Sequence, residues 1–109
     1  MLFLTRKSGE SVMIGDDNKL TVEKITKSTV YFNVEHTKNG ITVNNAYEIA
    51  LRGQVVLFAG QYFEVCGVRI EVFEIRGIYV KICFQNSQNI PIYRLEIYHS
   101  RQENQNQAH

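Results

Sequence analysis

The sequence is poor in most features that would settle a function at once. It has no tryptophan, a single proline and two cysteines. Cys66 and Cys83 form no C-x-x-C pair, and His36, His99 and His109 stand at no metal-ligand spacing from them. They are therefore read as small, reduced core residues, with no metal site and no cofactor expected. Formal net charge is only +1, which excludes a basic field that binds nucleic acid indiscriminately. No stretch approaches the ~20 apolar residues that a membrane helix requires. The opening apolar run meets Arg6 and Lys7 at once, too soon for a secretory signal. The expected location is cytoplasmic. There is no Gly-rich phosphate loop and no Ser/His/Asp or Cys/His arrangement, so no enzyme is expected.

What is present is strand periodicity. Leu20 and Val22 alternate with polar neighbours, as do Val30, Phe32 and Val34, then Ile70 and Val72, then Ile78, Val80, Ile82 and Phe84. Turn-forming segments separate these runs at Gly15–Asn18, Thr37–Gly40 and Asn86–Asn89. Pro91 lacks a backbone donor, so its strand should be an edge or have an unpaired position there. Two segments read as helices: Ala46 to Arg52, stopped by Gly53, and one from Leu95 to about Glu103. The polar tail 104–109 has nothing to bury and should fray.

An internal repeat organises the chain. At an offset of fifty, Leu20 matches Ile70, Val22 matches Val72, Ile25 matches Ile75, Val30 matches Val80, Phe32 matches Ile82 and Val34 matches Phe84. Each copy continues into a polar turn, a short strand and a Glu-Ile pair (Glu48-Ile49, Glu96-Ile97). Upstream, LFLTRKSGESVMIG has a weaker counterpart in VVLFAGQYFEVCG. Two units are expected, 1–53 and 54–109. A unit of this size buries little alone, so the two should share one core in a mainly β, pseudo-twofold sandwich or barrel-like body with short peripheral helices. Fusion would make that association intramolecular and independent of concentration.

The opening segment resembles the first strand and hairpin of the carbon storage regulator (CsrA/RsmA) family. Met1, Leu2, Leu4, Thr5, Arg6, Gly9, Glu10, Met13, Ile14 and Gly15 all fit that family's pattern. Ile90-Pro91-Ile92-Tyr93-Arg94, then Glu96-Ile97-Tyr98, resembles its last strand and helix. Two departures stand out: Tyr93 occupies the place of a more usual His, and Leu95 that of a commonly acidic residue.

The resemblance implies an interlocked homodimer of chains about half this length. The first strand of one subunit lies beside the last strand of the other, and the two form a composite site for GGA-containing single-stranded or hairpin-loop RNA. The implied partners are mRNA leaders, small regulatory RNAs and a protein antagonist. Carried onto this chain, one site would join Leu4, Thr5 and Arg6 to Ile92, Tyr93, Arg94 and Glu96. Arginine forks suit phosphate or guanine O6 and N7, and Tyr93 offers a stacking face. The other site would join Val55–Ala59 to Ile41–Ala46, and both segments lack Lys and Arg. Its members Leu57, Phe58, Ala59, Asn44, Asn45 and Ala46 make a degenerate site, so one competent site is expected in a monomer acting as a pseudo-dimer.

Gly9 is read as a positive-φ turn residue and Glu10 as a turn acceptor. Lys19, Lys24 and Lys27 read as a solvated face. The rival reading is an interaction or decoy paralogue that binds a protein regulator, with Phe58, Tyr62 and Phe63 as its apolar patch.

Overall fold

A computed structural model describes residues 1–16, 18–36, 41–42, 47–48, 54–65, 67–86 and 89–100. The alternating runs form strands, and the chain is mainly β. The first half contributes β1 (Leu2–Lys7), β2 (Ser11–Ile14), β3 (Asn18–Ile25), β4 (Thr29–His36), β5 (Ile41–Thr42) and β6 (Tyr47–Glu48). The second contributes β7 (Gln54–Phe58), β8 (Tyr62–Val65), β9 (Val68–Arg76), β10 (Tyr79–Asn86) and β11 (Ile92–Arg94). A short helix, α1, follows over 95–100.

The strands make two antiparallel sheets, in the orders β1-β10-β9-β8-β5 and β11-β2-β3-β4-β7-β6. Neither sheet belongs to one half of the chain. β1 leaves its own hairpin partners and pairs with β10, from Leu2 opposite Phe84 to Lys7 opposite Tyr79. β7 does the same against β4, from Thr29 opposite Phe58 to Asn33 opposite Gln54.

The inward side chains of both sheets share one core. The positions matched in sequence at an offset of fifty lie there: Leu20 with Ile70, Val22 with Val72, Val30 with Val80, Phe32 with Ile82 and Val34 with Phe84 are all buried. Ile25 and Ile75 both pack against that core while partly exposed. Phe32 of β4 meets Phe63 of β8 across the sheets, with ring centroids 5.7 Å apart. Cys83 is buried, and burial pushes its thiol pKa up, with the Glu71 carboxylate adding to the effect. Cys66 lies outside the described residues.

The turns repeat as well. Gly9 has φ +90, and Glu10 Oε1 accepts the Lys7 N–H at 2.9 Å. Gly60 has φ +88, and Gln61 Oε1 accepts the Phe58 N–H at 2.9 Å. These are the roles read for Gly9 and Glu10: a left-handed backbone that glycine adopts without strain, and a turn acceptor. Each turn grips the strand after next, β3 or β9, at a bulge. Gly9 N–H donates to Val22 O and Gly60 N–H to Val72 O, both at 2.7 Å. The ladders slip just past these points, leaving Glu23 extra on β3 and Phe73 extra on β9.

Two sequence readings need correction. The AYEIALR segment was expected to be helical, but Tyr47 and Glu48 form strand β6 beside Val56 and Val55 of β7. Helix-forming composition is outweighed by the unpaired backbone groups that β7 would otherwise leave at the sheet edge. Ala46 and residues 49–52 lie outside the described residues. Phe63, read as part of an exposed patch, is fully buried. Its place in β8 puts it on the inward face, whereas Phe58 is 40% exposed and Tyr62 is half-buried beneath the Arg69 guanidinium. The helix expected from Leu95 runs over 95–100, and the tail 104–109 lies outside the described residues.

Candidate nucleic-acid interface

β1 closes one end of its sheet and β11 closes one end of the other. The tight Lys7–Glu10 turn sends the chain from β1 in one sheet to β2 in the other, and β11 pairs with β2. Two strand ends from opposite termini are thereby brought to the same corner. No backbone ladder joins β1 to β11; β1 pairs with β10, and β11 pairs with β2 through Ile92–Ile14, Tyr93–Met13 and Arg94–Val12.

β11 is held in place by three local devices. Gly15 N–H donates to Pro91 O at 2.7 Å, and Gly15 has φ +66, where a Cβ would also stand 3.3 Å from Ile90 Cγ2. The Asn86 side chain donates to Ile90 O and accepts the Ile90 N–H. Pro91 itself needs no donor just ahead of an edge strand, as its chemistry requires.

The corner is joined through Arg6. Along β1 the side chains alternate, so Leu4 and Arg6 point inward while Phe3, Thr5 and Lys7 point outward. Arg6 is only 5% exposed. A buried guanidinium requires partners, and it has them. Nη1 donates to Glu96 Oε1 at 3.1 Å and Nη2 to Glu96 Oε2 at 3.2 Å, a bidentate pair. Nη1 also donates to Ser11 O, and Nε to Thr5 O. Tyr98 adds a second tie from α1, its hydroxyl bonding Asp16 at 3.1 Å.

Glu96 is held below the usual carboxylate range. The Arg6 hydrogen bonds are the main cause, its own backbone N–H helps, and the Arg6 and Arg94 charges add to this against some desolvation. Because the folded pKa is depressed, the stabilisation is present above the ordinary glutamate range and is lost as pH falls through the lowered value. A carboxyl-carbon NMR titration should give a Glu96 midpoint below that of an ordinary glutamate, and Arg6→Leu should raise it toward the ordinary value, with the backbone N–H and Arg94 still holding it down in part. A midpoint unchanged by that substitution would show that Arg6 is not what depresses it.

The sequence-predicted residues thus divide. Leu4 is core, and Ile92 packs partly buried against the core. Thr5, Arg94 and Glu96 are exposed, and Tyr93 is half-buried. Arg6 and Glu96 are brought together as a pair, and Arg94 lies close enough to Glu96 to act on its charge. The sequence reading missed that Arg6 and Glu96 hold each other, although a signal was available. Arg6 shares strand parity with Leu2 and Leu4, so an inward charge there demanded a counter-ion. Ser11 and Tyr98 had no comparable signal.

The second set of residues is different. The matched turns align Leu57 with Arg6, Phe58 with Lys7 and Ala59 with Ser8. Leu57 is fully buried, filling with hydrocarbon the place where Arg6 puts a charge. β5 pairs with β8 rather than with β7. Asn44, Asn45 and Ala46 lie outside the described residues. Of the lysines read as a solvated face, Lys24 and Lys27 are exposed and Lys19 is partly so.

Comparison with known proteins agrees with this corner's first strand. Residues 1–43 match the family model CsrA, the global regulator protein family. The chain is also similar to the translational regulator CsrA of Clostridium botulinum strain ATCC 19397 / Type A, at 46% identity over 39 residues, covering 36% of this chain and 54% of that protein. The protein of the same name from strain Kyoto / Type A2 matches to the same extent. The chain spans about half the length of the curated relatives it matches. No solved structure matches it. Among the described residues no helix is long and apolar enough to cross a membrane.

Proposed function

We propose that this chain is an RNA-binding post-transcriptional regulator acting in the cytoplasm, which recognises GGA-containing single-stranded or hairpin-loop RNA in mRNA leaders through one composite site. Two CsrA-like units, 1–53 and 54–109, make in one polypeptide the interlocked body that the family resemblance implies for two separate chains.

The observation that carries the reading is the corner where Arg6 of β1 meets Glu96, two residues past the end of β11. Exposed Arg94 stands beside the bidentate Arg6–Glu96 pair. Thr5 is exposed on β1, whose outer backbone edge carries no ladder, and Tyr93 is half-buried on β11. Strand edges offer N–H and C=O groups to unpaired bases. Arg94 supplies a fork for phosphate or guanine, worth roughly 1–3 kcal/mol where it reads a base. Arg6 holds the corner together rather than contacting RNA, because four of its five N–H donors are engaged within the protein. The absence of a strong overall charge fits recognition by a few placed groups.

The test is calorimetry with a GGA hairpin, and with the same hairpin after GGA is replaced. One hairpin per chain is expected, with weaker binding to the replaced sequence, because Leu57 occupies the place matching Arg6 and the second site has no cation. Two equivalent hairpins per chain would overturn the single-site reading. No binding to either RNA would leave an interaction or decoy paralogue as the better account.

A further inference from the structure

The outer face of the β1-containing sheet carries a second arrangement that the corner does not use. Phe3 and Phe73 are 39% and 50% exposed and meet edge to face, centroids 5.2 Å apart. Lys81 Nζ stands 5.1 Å from the Phe3 ring and 5.4 Å from the Phe73 ring. Beside them is a shallow depression of about 350 Å³ lined by Thr5, Glu74, Arg76, Tyr79 and Lys81. Arg76 bonds Glu74 at 2.8 Å and is otherwise open to solvent.

The backbone plan of the chain supplies its own comparison. The bulge that presents Phe73 on one sheet presents Glu23 on the other. The strand position of Phe3, opposite Cys83, corresponds to Gln54, opposite Asn33. Lys81 corresponds to Tyr31 at an offset of fifty. The same framework therefore bears two aromatics and Lys81 on one face, and on the other a single ring, Tyr31, with Lys24 Nζ 5.6 Å from its centroid. Folding does not demand the exposed aromatic pair, because Gln54 and Glu23 stand at the positions matching Phe3 and Phe73.

We propose that this face binds a single-stranded RNA segment continuing from the corner site, an inference that rests on the RNA-binding reading above. Bases would stack on Phe73 and Phe3 while Lys81 and Arg76 meet phosphates, the combination that tracks single strands without regard to sequence. Charge favours a polyanion by a narrow margin: Lys7, Arg76 and Lys81 outnumber Glu71 and Glu74 on this face. Continuity favours the same RNA, because β1 serves both places. Its free edge borders the corner, and its outward Phe3, Thr5 and Lys7 lie on this face.

The experiment compares the full chain's affinity for a bare GGA hairpin with that for the hairpin bearing about eight unpaired uridines on either side in turn. One of the extensions should tighten binding roughly tenfold. Phe73→Ala and Lys81→Ala should each abolish that gain and leave the bare hairpin's affinity unchanged. No gain from either extension, or a gain that survives both substitutions, would overturn the proposal. If the bare hairpin itself does not bind, the corner reading fails separately. The face is then judged by photo-crosslinking an unstructured 4-thiouridine oligonucleotide to the full chain. Crosslinks on the peptide carrying Phe73 and loss of them in Lys81→Ala support it, and their absence overturns it. A homodimer that dissociates on Phe73→Ala, with no crosslink, would mean that the face meets a second copy instead.

Discussion

Phe63→Ala is expected to destabilise the protein by about 3–5 kcal/mol, the range for a fully buried phenylalanine reduced to a methyl group. For a chain of this size that corresponds to a fall in Tm of roughly 12–25 °C. Phe63 is fully buried on β8 and packs on Phe32 of β4, so the lost contact joins the two sheets and the two halves of the sequence. Thermal unfolding should remain one cooperative transition, because each sheet is laddered from strands of both halves and neither half keeps an intact sheet alone. Phe73→Ala, at a half-exposed ring, should cost less than about 1 kcal/mol by the same reasoning. Two separate calorimetric transitions, with only one moved by Phe63→Ala, would show that the halves fold independently.

The strands and the core were legible because a half-buried strand writes its inward face every second residue. Leu20, Val22, Val30, Phe32 and Val34 are all buried as that rule requires. The offset of fifty was legible for the same reason, and the sheets place the matched residues in one core. The bulges at Glu23 and Phe73 were not, since nothing in either side chain marks an extra residue. The strand at Tyr47–Glu48 was hidden by a composition that favours helix, because the deciding factor was the open edge of a strand elsewhere in the chain.

At the candidate site, the approach of Arg6 and Glu96 from opposite ends of the chain was legible, but the division of labour between the arginines was not. In the sequence alone, Arg6 and Arg94 look equivalent. Only the burial of Arg6 and the position of Glu96 show that one arginine is spent on structure while the other remains exposed.

That division sets different expectations for the two arginines. Arg94→Ala should weaken binding of a GGA hairpin by about 1–3 kcal/mol if it reads a base, or by less, with a shallower salt slope, if it meets only phosphate. Stability should hardly change, because the side chain is exposed. Arg6→Ala should lower both stability and affinity. It leaves a space where a buried guanidinium stood and frees α1 from β1, and its effect on RNA comes through the displaced strand end. About 2–3 kcal/mol of stability is expected, toward the low end for a broken buried pair, because Glu96 is itself largely solvated. The double variant should lose less affinity than the sum of the single losses, since a groove already loosened by Arg6→Ala positions Arg94 poorly. Lys27→Ala, on an exposed turn, is the control and should change neither quantity. Strictly additive losses would mean that Arg6 does not position Arg94. Full affinity in Arg94→Ala would remove the one exposed arginine from the site, and with it the present account of how this corner would recognise RNA.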